Sequence, residues 1–194
     1  MIKLPNDYKT ARAYDGTVGP TLTPGGHICR ISAAKLETAR SGAEMLVVAF
    51  DIAEGGEFDG YFRDRHERAT GYNPTAKWPG VFRTGIVTKD GKTNGYFKGL
   101  ITAIEESNAG YSFEATGGNE ATLAGKMVGF CFGEEEFRAS DGSVKVSVKP
   151  FYAVSVARVR EGLPVPARKP LNDQQAQMER QGFSTVDNDD ELPF

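Results

Sequence analysis

The sequence predicts a mainly β fold in which five strands and one helix enclose a single hydrophobic core. Several short segments alternate apolar and polar residues, as half-buried strands do, and one segment spaces its apolar residues as a helix does. The chain has 194 residues, of which 39% are hydrophobic. This length and composition suit one domain with appended segments.

The first two strands are predicted at residues 27–33 and 45–53, after a Gly-, Pro- and Thr-rich arm at residues 1–25. The polar stretch between the two strands, residues 36–43, is short enough for a hairpin-like connection. One face of the second strand is apolar and is predicted to lie in the core; it consists of Leu46, Val48, Phe50 and Ile52.

A third strand is predicted at residues 58–63, with Tyr61 and Arg63 on the face opposite Phe58 and Phe62. Residues 64–92 are interrupted by glycines and prolines and are predicted to be irregular, although residues 81–87 alternate well enough to add a short strand.

The helix is predicted at residues 95–107. Its apolar residues recur at i, i+3, i+4 and i+7, and Thr93 or Asn94 is a suitable N-cap. Asn108 and Gly110 follow the segment and indicate its end. The predicted buried stripe is Phe97, Leu100, Ile101 and Ile104.

Two strands are predicted to complete the domain, at residues 126–132 and 144–159, joined by a polar loop at 134–143. Pro150 lacks a backbone donor, which predicts an edge position or a bulge there. In the last strand Lys145, Ser147, Lys149 and Phe151 are predicted to share one face, and Val144, Val146, Val148, Tyr152, Val154 and Val156 the other.

Three strands, a helix and two strands follow the order of the OB-fold, a five-stranded, partly open Greek-key barrel that binds oligonucleotides. The predicted domain spans residues 26–160. A Pro- and Gln-containing linker at 161–186 leads to an acidic tip at 187–194. The tip contains four carboxylates and no cation, and without it the chain has 23 Lys and Arg against 22 Asp and Glu.

Single-strand binding requires cations along the phosphate path and aromatic rings on which bases stack. Candidates of both kinds occur on the predicted faces opposite the core and in the irregular region, where Trp78 adjoins Lys77. The predicted DNA-binding residues are Arg30, Tyr61, Arg63, Trp78, Lys145, Lys149 and Phe151.

Two blocks of the sequence resemble a family of bacteriophage-encoded proteins found in replication modules and considered OB-fold single-stranded DNA-binding proteins. The blocks are GYFKGLITAIEESN at 95–108 and GFCFGEEEF at 129–137. The resemblance implies coating of single-stranded DNA in phage replication or recombination, without catalysis. It transfers no contact residues.

The last six residues resemble the tip of bacterial single-stranded DNA-binding proteins, which ends in an acidic run, an aliphatic residue, Pro and Phe. That resemblance implies recruitment of replication or recombination proteins. A terminal aromatic ring beside its own carboxylate suits capture by an apolar pocket with a basic residue. The docking residues are Asp189, Asp190, Glu191, Leu192, Pro193 and Phe194.

The sequence does not favour an enzyme. His27 and His66 are its only histidines, and neither adjoins a recognisable nucleophile motif. The acidic run 134–136 is predicted to be a solvated turn, so we expect no metal and no cofactor. The mixed-charge run 64–68 leaves a nuclease as the enzyme alternative. Cys29 and Cys131 lie in alternating apolar stretches and are predicted to be buried free thiols.

The sequence shows no signal peptide and no apolar run long enough to cross a membrane, so a cytoplasmic protein without membrane contact is expected. A second hypothesis is a protein-interaction adaptor of a phage replication module, without strong DNA binding. An apolar patch on the outer faces of the strands would favour the adaptor, and a basic, aromatic groove would favour DNA. Oligomeric state, a dimer included, and preference between DNA and RNA stay open.

Overall fold

The computed structural model describes residues 3, 8–9, 20–39, 41–53 and 56–171. The predicted tip at 187–194 and most of the predicted arm lie outside these residues. Five strands form one antiparallel sheet in the order β3-β2-β1-β4-β5, which confirms the mainly β prediction. The strands are β1 Gly25–Thr38, β2 Glu44–Ile52, β3 Val81–Gly85, β4 Met127–Arg138 and β5 Val144–Val154.

The sheet is open, because no ladder joins β3 to β5 in the described part of the chain. The described residues also form three α-helices: α1 Tyr61–Thr70, α2 Gly95–Ser107 and α3 Val156–Glu161. Helix α2 packs against β3, β4 and β5 and covers the inner face of the sheet. In the described residues no helix is both long and apolar enough to cross a membrane.

The inner face of the sheet forms the core. Leu46, Val48, Phe50 and Ile52 of β2 are all buried there, as their alternation predicts. The ring centroid of Phe50 lies 4.6 Å from that of Phe130 and 5.4 Å from that of Phe62. These aromatic contacts tie β2 to β4 and to α1, and each adds to the burial of apolar area.

Strand β1 is longer than predicted, and it contains a bulge. The register between β1 and β2 shifts between Ile31 and Ala33, which leaves Ser32 unpaired. After a bulge the alternation of side chains changes phase, so Ala34 rather than Ala33 packs against the core. Strict alternation of apolar and polar residues therefore predicts the orientation of the side chains only as far as the bulge.

The third strand predicted at residues 58–63 is wrong. Gly60 adopts a left-handed conformation with φ of 70° and precedes α1, which begins at Tyr61. The carboxylate of Asp51, at the end of β2, accepts hydrogen bonds from the backbone N–H groups of Phe62 at 2.9 Å and Arg63 at 3.1 Å. This cap satisfies two donors of the first helical turn.

Strand β3 is instead the short segment predicted at residues 81–87. Helix α2 has the predicted bounds, and the Asn94 side chain caps it by accepting a hydrogen bond from the Tyr96 N–H at 2.8 Å. Leu100, Ile101 and Ile104 are buried beneath it.

The β4–β5 hairpin is longer than predicted, because β4 continues to Arg138 and only residues 139–143 turn. The acidic run 134–136 is therefore part of a strand and not a solvated turn. The register shifts between Cys131 and Phe132, which pair with Tyr152 and Pro150, so the bulge predicted at Pro150 is confirmed on the edge strand β5.

The predicted strand 144–159 ends at Val154, and residues 156–161 form α3. The helix lies on the outer face of the sheet, where Val159 occupies the space above Gly26 and Gly129 that a side chain would fill. Two glycines in neighbouring strands thus leave the room in which α3 packs on the outer face.

Candidate nucleic-acid interface

One exposed part of the outer face is the distal half of the β4–β5 hairpin, residues 133–138 and 144–151, which we call the ribbon. The ribbon extends beyond β1, because β1 begins at Gly25 opposite Phe132. It has two faces, and the outer face has three of the seven predicted DNA-binding residues: Lys145, Lys149 and Phe151.

Both lysines of the ribbon have acidic neighbours. Lys149 Nζ lies 3.4 Å from a carboxylate oxygen of Glu135, and Lys145 Nζ lies 3.6 Å from one of Asp141. Both pairs are partly exposed, and pairs of this kind contribute little to stability. The hydroxyl and N–H of Ser143 donate to Asp141 and hold the pKa of that carboxyl below its usual value.

Phe151 is half-buried, and its ring lies on Gly133, where a side chain would collide with it. The Nζ of Lys169 stands 3.7 Å from the ring centroid. The ring therefore contacts the strand at Gly133 and has the Lys169 ammonium group over its face. A base can stack on that face only where Lys169 moves aside.

Because of the bulge, Tyr152 and Val154 lie on the outer face and not, as predicted, on the face of Val144, Val146 and Val148. Tyr152 pairs with Cys131 across the ladder. A hydrogen bond with the Cys131 thiol, together with burial, raises the pKa of Tyr152. Both Cys131 and Cys29 are buried free thiols, as the sequence predicts, and burial raises the pKa of Cys29 well above its usual value.

A segment of the predicted linker lies along the ribbon. The Lys169 N–H donates to the Glu134 carbonyl, and the Glu136 N–H donates to the Lys169 carbonyl, both at 2.9 Å. Arg168 reaches the carboxylates of Glu134 at 2.7 Å and Glu136 at 3.8 Å. These contacts fill the edge of β4 that β1 leaves free.

Arg30 lies on the outer face of β1, as predicted. It is exposed, and its guanidinium donates to the Gly125 carbonyl at 3.4 Å. Two further cations of this face, Lys35 and Arg83, both lie opposite Val47 of β2 and were missed by the sequence analysis. Val47 itself has 0% exposure, so the centre of this face is covered.

Tyr61, Arg63 and Trp78 lie on α1 and the loop after it, not on a strand with the ribbon residues. Tyr61 packs edge-on against Phe62, with ring centroids 5.1 Å apart, and Arg63 pairs with Asp64 at 3.2 Å.

The Trp78 indole N–H donates to the Phe50 carbonyl at 3.0 Å, and its ring packs at 5.4 Å from His66. Trp78 is half-buried against the core. This arrangement anchors the loop that leads into β3.

A comparison with models of known protein families finds no match, and a search of curated proteins finds no related sequence. Any assignment of function therefore has to be argued from the geometry of the chain. The predicted docking residues 189–194 lie outside the described residues.

Proposed function

We propose that the protein binds single-stranded DNA without catalysis and with little sequence preference. The observation that carries this proposal is the alignment on the outer face of the ribbon of Lys145, which is exposed, with Lys149 and Phe151, which are partly exposed. Cations beside an aromatic ring are what a sequence-tolerant single-strand site requires, since phosphates and ring faces are common to all four nucleotides.

The topology supports the same proposal. The helix α2 lies between β3 and β4 in the chain, and the open sheet has β3 and β5 at its two edges. A five-stranded OB barrel has its helix at the same point and uses the loop between its last two strands for oligonucleotide binding. In this chain that loop is the tip of the ribbon.

The contacts on the ribbon are weak enough to be exchanged. An exposed cation–π contact such as that of Lys169 with Phe151 contributes about 0.5–1 kcal/mol. A base stacked on an aromatic ring contributes about 1–3 kcal/mol. A base can therefore displace the ammonium group, which is then free to contact a phosphate.

The tip at 187–194 completes the proposal. Its acidic run and terminal Leu-Pro-Phe suit docking to an apolar pocket with a basic rim on a replication or recombination protein. The resemblance to phage replication proteins favours a role in the cytoplasm of a bacterial host. Tip and ribbon then bind different partners.

The test is fluorescence anisotropy with a labelled 30-nucleotide oligo-dT and the matching duplex, each at two salt concentrations. We expect the single strand to bind more tightly than the duplex and its affinity to fall as salt rises. Absence of salt-sensitive single-strand binding at low salt would exclude the proposal.

One observation favours the adaptor as a second candidate. On the inner face of the ribbon Val144 is 52% exposed and Val146 is 44% exposed. Exposed apolar residues on a protruding hairpin suit a protein partner. In a Val144→Thr, Val146→Thr variant, the adaptor hypothesis expects loss of protein capture with unchanged DNA affinity.

A further inference from the structure

A cavity of about 500 Å³ lies beside the ribbon, between the first turns of α2 and the end of β5. Its volume lies in the range of small-molecule sites. Two tyrosines line it, Tyr96 with 61% exposure and Tyr152 with 36%. The other lining residues include Thr88, Asn94, Gly95 and Gly99.

The two glycines are one helical turn apart in α2, and packing does not require them. A Cβ on Gly95 or Gly99 would meet no atom within 4 Å in the described part of the chain. In contrast, a Cβ on Gly129 or Gly133 would collide with a neighbouring side chain. Glycine is among the least favourable residues inside a helix. Gly99 therefore weakens α2 while it keeps the cavity wide.

The cavity borders the edge strand β5, whose Tyr152 and Ala153 line it. Tyr152 follows Phe151 directly, so an extended strand that passes Lys145, Lys149 and Phe151 reaches the cavity next. Tyr152 pairs with Cys131 of β4 across the ladder, so its backbone position is set by the sheet. An aromatic ring on a hydrogen-bonded strand provides a surface on which a base can stack.

We propose that this cavity binds one nucleobase of the single strand that follows β5, with Tyr96 and Tyr152 as the aromatic walls. The proposal rests on the proposed function and assigns one base of the bound strand to a defined position on the protein. Gly95 and Gly99 leave room for the base where any other residue would project a side chain.

The test uses two substitutions that fill the cavity to different extents, Gly99→Ala and Gly99→Leu. Both residues favour helix more than glycine does, so both variants should melt at or above the wild-type temperature. Oligo-dT affinity should fall slightly for alanine and about tenfold for leucine, the loss of one stacked base. Tyr96→Phe keeps the ring and should bind as wild type, whereas Tyr96→Leu should also lose about tenfold.

A second measurement locates the base directly. Oligo-dT with 5-iododeoxyuridine, irradiated on the full-length protein, should give crosslinks at Tyr96 or Tyr152 by mass spectrometry. Suppose that the wild type binds DNA, that Gly99→Leu binds it with equal affinity, and that neither tyrosine is crosslinked. This result overturns the cavity proposal and leaves the proposed function standing. Wild type that binds no DNA overturns the proposed function as well.

The same variants distinguish a peptide occupant. A synthetic peptide of residues 187–194 combines an acidic run with an apolar end and is the competing ligand in the same anisotropy assay. If Gly99→Leu loses the peptide and keeps full DNA affinity, the cavity is a peptide site and the nucleobase proposal is overturned.

Discussion

Replacing Lys145 and Lys149 together with alanine should flatten the salt dependence of single-strand binding. Each phosphate that a lysine neutralises contributes about 0.7 to the slope of log affinity against log salt for single strands. Two contacts therefore amount to about 1.4, and between about 50 and 200 mM salt the wild type should lose about sevenfold more affinity than the double variant. Stability should barely change, because both lysines form only partly exposed ion pairs.

The assay is anisotropy of labelled oligo-dT over a salt series, with thermal melting of each protein beside it. The matched control is Arg65→Ala with Arg68→Ala, two cations of α1, a helix that packs against β2 and carries no part of the proposed DNA path. The control should keep the wild-type slope. A lysine double variant that melts normally and has the wild-type slope would refute the placement of the phosphates on β5.

Three other substitutions separate the remaining roles. Phe151→Leu should lower oligo-dT affinity by about fivefold or more at every salt concentration without changing the slope, as loss of a stacking ring predicts; an altered slope would contradict this. Trp78→Phe should lower the free energy of unfolding by about 1 kcal/mol, because the Phe50 carbonyl loses its donor, and should leave DNA affinity unchanged; a large loss of affinity in a stable protein would return Trp78 to the DNA site. Phe194→Ala keeps every side-chain charge, so capture of replication proteins from a host lysate should drop while DNA affinity stays; equal capture would end the docking hypothesis. Deletion of residues 187–194 should raise oligo-dT affinity modestly at low salt and not at high salt, since salt screens the acidic run; a gain that persists at high salt would argue against electrostatic competition.

Local patterns predicted the elements whose stabilising contacts are close in sequence. Helix α2 has the predicted bounds because its cap, its apolar spacing and its stop all lie within one short window. Strand β2 was predicted equally well, because one unbroken alternation of residues indicates both its bounds and its apolar face. In these segments local preference and tertiary packing agree.

The errors arose where a distant residue decides the local structure. Asp51 caps α1 from the end of β2, and no pattern within residues 58–63 shows this. The bulges at Ser32 and beside Pro150 each shift the phase of a strand. Lys35 was missed for that reason, and Tyr152 was assigned to the wrong face.

The part of the candidate site on β5 could be predicted, because Lys145, Lys149 and Phe151 follow an alternation that holds up to the bulge at Phe151. The contact of the Lys169 ammonium group with the Phe151 ring could not be predicted, because Lys169 lies 18 positions further along the chain. Its position depends on the free edge of β4, which in turn depends on where β1 begins.

The contacts of residues 168–171 with β4 also determine how concentrated the tip is around the ribbon. The Leu171 N–H donates to the Glu136 carboxylate at 3.2 Å, and Phe194 follows 23 residues later. A chain of that length spans at most about 80 Å. One tip within a sphere of that radius has a local concentration of about 1 mM. Dilution of the protein leaves this local concentration unchanged. Under the proposed function, we expect a partner protein at micromolar concentration to compete with a ribbon around which the tip is about a thousand times more concentrated, and we expect bound DNA to remove that competitor.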